Sequence, residues 1–191
     1  MSEAETKLKR DLAILTAMAA EMDEYLRSDV LFWPMIVADM PRLTIGGYLM
    51  RQHRLVALRS LLSEEDQLKL DEAITTFNEA LVEKVVRLEH RAHQEIHARL
   101  RQWSEHLKDL SRDAANQDYW ATTATTRTMI EELVEMLNRP PYRLEPGVLD
   151  ELAAYDNNLR KRWQPGDFVW EEGWEPAYPQ AQYWWLYGKP R

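Results

Sequence analysis

Apolar residues return every three or four positions along most of this chain, the spacing of helices that bury one face. Leu8, Leu12, Leu15, Met18, Met22 and Leu26 form the first such stripe and predict a helix from about Glu5 to Arg27. A second is expected from about Tyr48 to Leu62, with Leu49, His53, Val56 and the Leu61-Leu62 pair near one face. Ser63 precedes Glu64, Glu65 and Asp66, an N-cap followed by acids that suit the positive end of a helix. The third helix opens there. Its stripe runs without interruption from Ile74 through Leu88 and Ile96 to Leu110. A continuous helix from Glu64 to Leu110 would reach about 70 Å at 1.5 Å per residue. A coiled-coil arm or a kinked helix would accommodate the length.

The fourth helix is expected from about Ala114 to Asn138, stopped by Pro140-Pro141. Its threonine-rich run, residues 121–126, would allow close helix approach and hydroxyl back-bonding to helix carbonyls. A fifth follows Pro146 and carries Leu149, Leu152, Tyr155 and Leu159 to near Trp163. No glycine or proline occurs anywhere in residues 48–139. Sheet proteins need frequent turn residues, so the fold class is all-α. The expected architecture is a bundle of four to five helices around one long central helix, with an ordered, aromatic-rich C-terminal tail.

Between the first two helices, Val30 to Gly47 is apolar but broken by Pro34, Pro41 and Gly46-Gly47. It reads as a buried connector over the end of the bundle. A small-ligand pocket between the Val30–Met40 segment and the tail is a further possibility.

Residues 1–163 form the expected bundle domain, and residues 164–191 a tail packed on the bundle or on a partner subunit. Trp163, Trp170, Trp174, Trp184 and Trp185 fall in or beside that tail, with Pro165, Pro176, Pro179 and Pro190 among them. Disordered tails are poor in aromatics, whereas Trp and Tyr anchor interfaces. Trp170, Trp174, Trp184, Trp185 and Tyr187 are therefore the candidate interaction residues.

The net charge of −8 argues against nucleic-acid partners and against an anionic membrane surface. The chain has no cysteine, which excludes disulfides, thiolate metal sites and a cysteine nucleophile. The acidic N-terminus lacks the apolar core of a signal peptide, and a cytoplasmic location is expected.

One constellation resembles metal chemistry. Glu89, His93 and His97 stand four residues apart along one helical stripe, with His90 beside them. Three ligands at that step extend about 12 Å along a straight helix, too far for one metal. A divalent ion there needs a ligand from another helix, with His53 and Glu132 as the candidates. No Glu-x-x-His, Gly-x-Ser-x-Gly or glycine-rich phosphate loop is present. Glu131, Glu132 and Glu135 read as a solvated acidic face, and Arg51, His53, Arg54 and Arg59 as partners for the acids of the third helix. Helix three is acidic in its first half and basic from Lys84 to Arg101, a pattern suited to antiparallel self-pairing. The sequence thus favours a non-enzymatic, self-associating interaction protein without a cofactor. The alternative is a metal-binding helical protein or metal-dependent enzyme using the histidine cluster.

Overall fold

The computed structural model describes residues 1–112 and 119–191. Among the described residues six α-helices carry the fold: α1 (Glu3–Arg27), α2 (Ile45–Ala57), α3 (Glu64–Leu81), α4 (Val85–Arg112), α5 (Trp120–Leu137) and α6 (Val148–Arg160). A two-stranded antiparallel sheet, β1 (Trp163–Phe168) with β2 (Tyr187–Pro190), closes the chain. The fold is mostly all-α with an aromatic-rich C-terminal region. The expected start of the fourth helix at Ala114 lies outside the described residues.

Local chemistry explains the helix starts. Ser2 and Glu5 form a capping box at α1, Thr44 accepts the Gly47 N–H at α2, and Ser63 accepts the Asp66 N–H at α3. The stripe from Ile74 to Leu110 is not one helix. It breaks at Val82–Lys84, where Glu83 adopts φ 64°. The break folds the expected arm back into the bundle, so α3 packs on α1. The long central helix is α4, which touches α1, α2, α5 and α6.

Helix α2 starts three residues earlier than the sequence suggests, through both glycines. Gly46 donates its N–H to the Glu95 carboxylate of α4 at 3.0–3.1 Å, and a Cβ at Gly46 would lie 2.6 Å from Glu95 Oε1. The glycine pair thus permits a close approach between α2 and α4 rather than breaking the chain.

The 28–44 connector is not the buried cover expected of it. Ile36 is 79% exposed, and Val30, Phe32 and Val37 are also exposed. Its two prolines prevent a regular element that would lay these side chains on the core. Polar anchors hold it instead. Trp33 Nε1 and the Ile36 N–H donate to Glu21, Trp33 pairs with Leu43, and Arg91 donates to the carbonyls of Tyr25, Ser28 and Val30.

Candidate functional site

The histidine stripe is a docking strip for the chain between α5 and α6. His93 is buried, and its Nδ1 lies 2.8 Å from the Glu89 carbonyl. A carbonyl only accepts, so Nδ1 carries the hydrogen and Nε2 accepts the Glu145 N–H at 3.0 Å. Glu89 Oε2 accepts the Arg143 N–H, and His97 Nε2 meets Glu145 Oε2 at 2.7 Å. The hydrogen bond from His97 holds the Glu145 carboxyl below its ordinary range. Both His93 nitrogens are therefore engaged in this strip. Among the described residues no group of three or more His, Asp or Glu side chains is arranged to hold a metal ion.

The tail aromatics pack on the chain's own helices. Trp185 is buried; its Nε1 donates to Thr128 Oγ1 of α5, its carbonyl accepts from Trp120 Nε1, and Arg127 lies 3.9 Å from its ring centroid. Tyr187, also buried, donates to the Tyr178 carbonyl. Trp170 donates to the Ala121 carbonyl, while Trp184 lies against the Arg160 guanidinium and meets Trp163 edge to face. Thr128, two residues beyond the threonine-rich run, back-bonds to the Ala124 carbonyl. Trp174 covers Arg54 of α2 at 3.7 Å.

That last contact opens onto a cationic groove along one face of α2. Arg51 and Arg54 share one carboxylate, the buried Asp11 of α1, rather than pairing with α3 as the sequence suggests. Only Arg59 reaches α3, at Asp71. Two lobes meet at Met50, Arg51 and Thr125. The first, about 670 Å³, extends toward Lys7, Arg54, Trp170 and Trp174; Glu171 and Glu172 also line it, and Lys7 is paired with Glu171, so its positive charge comes from Arg51 and Arg54. The second, about 440 Å³, extends toward Phe32, Arg42, Thr44 and Arg99. Arg51 Nε is buried without a hydrogen bond. Burial and the adjacent Arg54 lower the Arg51 pKa against the pull of Asp11. Arg42 at the lip donates to the Phe32 carbonyl. The sequence carries a signal for this site: Asp11 stands three residues after Leu8 and four before Leu15, a charge on an apolar face.

The opposite face of α2 borders a second cleft, about 540 Å³, shared with α5. Here Glu132 is not part of a solvated acidic face. Its side chain is 9% exposed, Tyr183 O–H donates to Oε1 at 3.0 Å, and His53 Nδ1 stands 3.5 Å from the same oxygen. His53 Nε2 lies 2.7 Å from the Ala177 carbonyl, which fixes its hydrogen there and turns the Nδ1 lone pair toward Glu132. Glu131, by contrast, pairs with Arg127, and Glu135 with Arg139. Helical periodicity gives no warning of Glu132, because a tail residue far along the chain, Tyr183, lies against it.

Burial raises the Glu132 pKa to about 8. The unfolded chain ionises this group at its ordinary value near 4.5, so between that pH and about 8 the folded state binds the extra proton. Stability contributed here therefore falls as pH rises through that window, by up to about 1.4 kcal/mol per pH unit. Glu132→Gln, which keeps the acceptor for Tyr183, should flatten the decline in chemical denaturation at pH 5 to 8. A variant whose stability falls as steeply as the parent's would rule out this source.

Comparison with protein-family models, with curated proteins and with solved structures gives no match to this chain. No helix among the described residues is long and apolar enough to cross a membrane.

Proposed function

We propose that this protein binds a small anionic ligand, bearing phosphate or carboxylate groups, in the groove between the connector and the C-terminal tail. One observation carries the reading. Arg51 and Arg54, one turn apart on α2, have a single carboxylate between them, and both line an open groove; Arg51 Nε stands 3.5 Å from Asp11 Oδ1 and makes no hydrogen bond. A buried guanidinium without a full set of acceptors is costly, and an oxyanion supplies what it lacks. Arg42 and Arg99 extend the positive wall, while Trp170 and Trp174 offer flat apolar surface at the other end. The chain's overall charge of −8 makes this local concentration of arginine more selective, because the rest of the surface repels anions.

This reading displaces self-association as the favoured function. The expected helical arm is folded back at Glu83, and the tail aromatics cover the chain's own α5 and α2. Two of the three features that favour a partner, the arm and the tail, thus lie within the chain; the charge segregation between α3 and α4 is the third.

The test is titration with inorganic pyrophosphate and with citrate, read by thermal shift and calorimetry. Both probes should stabilise the protein, with an affinity that falls as salt rises. Arg51→Met keeps the side chain's apolar stem and a good helix former. It should weaken binding about tenfold to a hundredfold, the worth of one or two charge-assisted hydrogen bonds. No stabilisation by either anion at millimolar concentration, or equal binding by the variant, would remove the reading.

A further inference from the structure

The cleft on the other face of α2 has the reverse chemistry, and its case is independent of the anion groove. Acceptors line it. Glu132 takes the Tyr183 hydroxyl and faces His53 through Oε1, and among the described residues no hydrogen bond reaches its Oε2. Gln52 Oε1 is buried without a hydrogen-bond partner on the same helix face. His53 presents a lone pair at Nδ1, since its other nitrogen donates to Ala177. The one guanidinium lining this cleft, Arg139, is tied to Glu135. Leu49, Val56, Met136 and the ring of Tyr142 supply apolar walls.

We propose that this cleft binds a primary ammonium group carried on a small apolar body, with its N–H donors directed to Glu132 and to Gln52 Oε1. An ammonium has three donors and no acceptor, which matches a pocket of acceptors. It also supplies the positive charge that the buried carboxylate lacks, and an aromatic wall favours a cation. An alcohol of the same shape satisfies one acceptor at most and leaves the carboxyl uncompensated. A carboxylate guest meets Glu135 of the same sign and opposes ionisation of Glu132.

The site has a protonation signature. Burial keeps Glu132 protonated up to about 8, and Glu135 and Glu131 on α5 press in the same direction. Arg54 of α2 and the Tyr183 hydrogen bond oppose them. His53 on α2 is the remaining titratable neighbour in contact. An arriving ammonium favours the carboxylate, so binding near neutral pH expels a proton from Glu132. Affinity therefore rises from pH 6 toward pH 8.

The experiment is calorimetric titration of the full chain with benzylamine at pH 7, in two buffers of different ionisation enthalpy. Benzyl alcohol is the neutral control. Benzylamine should bind with release of close to one proton, and the alcohol at least about tenfold more weakly. Glu132→Gln should lose about tenfold or more in benzylamine affinity and abolish proton release. Gln52→Leu removes the orphan acceptor without touching the carboxyl, and should weaken binding while preserving the release. Near-ultraviolet circular dichroism establishes that both variants are folded. No binding at millimolar benzylamine, no proton release, or unchanged affinity in folded Glu132→Gln would overturn the proposal. Binding of pyrophosphate, measured on the same samples, reports on the other groove, so failure of one reading is distinguishable from failure of the other.

Discussion

Glu95→Ala is expected to lose about 3–5 kcal/mol of folding stability, the usual cost of removing one partner from a buried ion pair. Glu95 is fully buried in the middle of α4. Its carboxylate receives the Gly46 N–H in the first turn of α2 and the Arg99 Nε–H at 2.7 Å. Arg99 also donates to Thr44 Oγ1, the hydroxyl that caps α2 through the Gly47 N–H. The acid thus neutralises a buried guanidinium, satisfies an orphan helix donor and sits at the positive end of the α2 dipole. Alanine leaves all three uncompensated in a space that water does not fill easily. Glu95→Gln keeps the shape and should lose less. Gly46→Ala tests the same junction from its other side, because the added methyl would collide with Glu95 Oε1 and press on Leu133. Urea denaturation at neutral pH measures each. A loss under about 1 kcal/mol for Glu95→Ala would mean that the junction is not the keystone of α2 and α4.

Trp185→Ala should cost about 3–5 kcal/mol, the range for deleting a buried large aromatic. The indole joins three parts of the molecule. It donates to Thr128 of α5 and packs under Arg127, and Arg127 in turn holds Asp156 of α6 through two hydrogen bonds. Its own carbonyl accepts from Trp120. Truncation leaves a cavity and releases the arginine that links α5 to α6. Trp184, next in the chain, is only partly buried and rests on Arg160 and Trp163. Trp184→Ala is the matched control and should cost clearly less. Thermal unfolding at low protein concentration measures both. Equal losses, or none at Trp185, would indicate that the tail's energy resides elsewhere and would restore a partner surface as its destination.

The two candidate sites differ in how far the sequence exposes them. Asp11 interrupts an apolar stripe, so a buried charge there was readable, and a buried aspartate demands a cation. Which cation was not readable, because Arg51, Arg54 and Arg59 all stand on or just after α2 and only packing directs two of them to α1 and one to α3. Glu132 gives no such sign. Its neighbours Glu131 and Glu135 have local arginine partners and accept from Gln182 of the tail, whereas Glu132 is buried under Tyr183 with no arginine hydrogen-bonded to it among the described residues.

The histidines make the same point from another direction. Their four-residue spacing is a local fact and put Glu89, His93 and His97 on one stripe. Loop 143–145, which takes up their hydrogen-bonding groups, comes from far along the chain.

By itself the sequence determined the helical fold class, most of the apolar stripes, the cap at Ser63, the charge balance and the presence of an aromatic C-terminal segment. These follow from periodicity, propensity and composition, which act within a turn or two of chain. The tertiary structure alone decided the turn at Glu83, a residue with no glycine or proline beside it, and it decided that Gly46 serves a close helix contact. It also decided that α2 presents a donor-rich groove on one face and an acceptor-rich cleft on the other. Those outcomes depend on which distant side chains meet, and a buried charge takes its character from the groups that surround it in space.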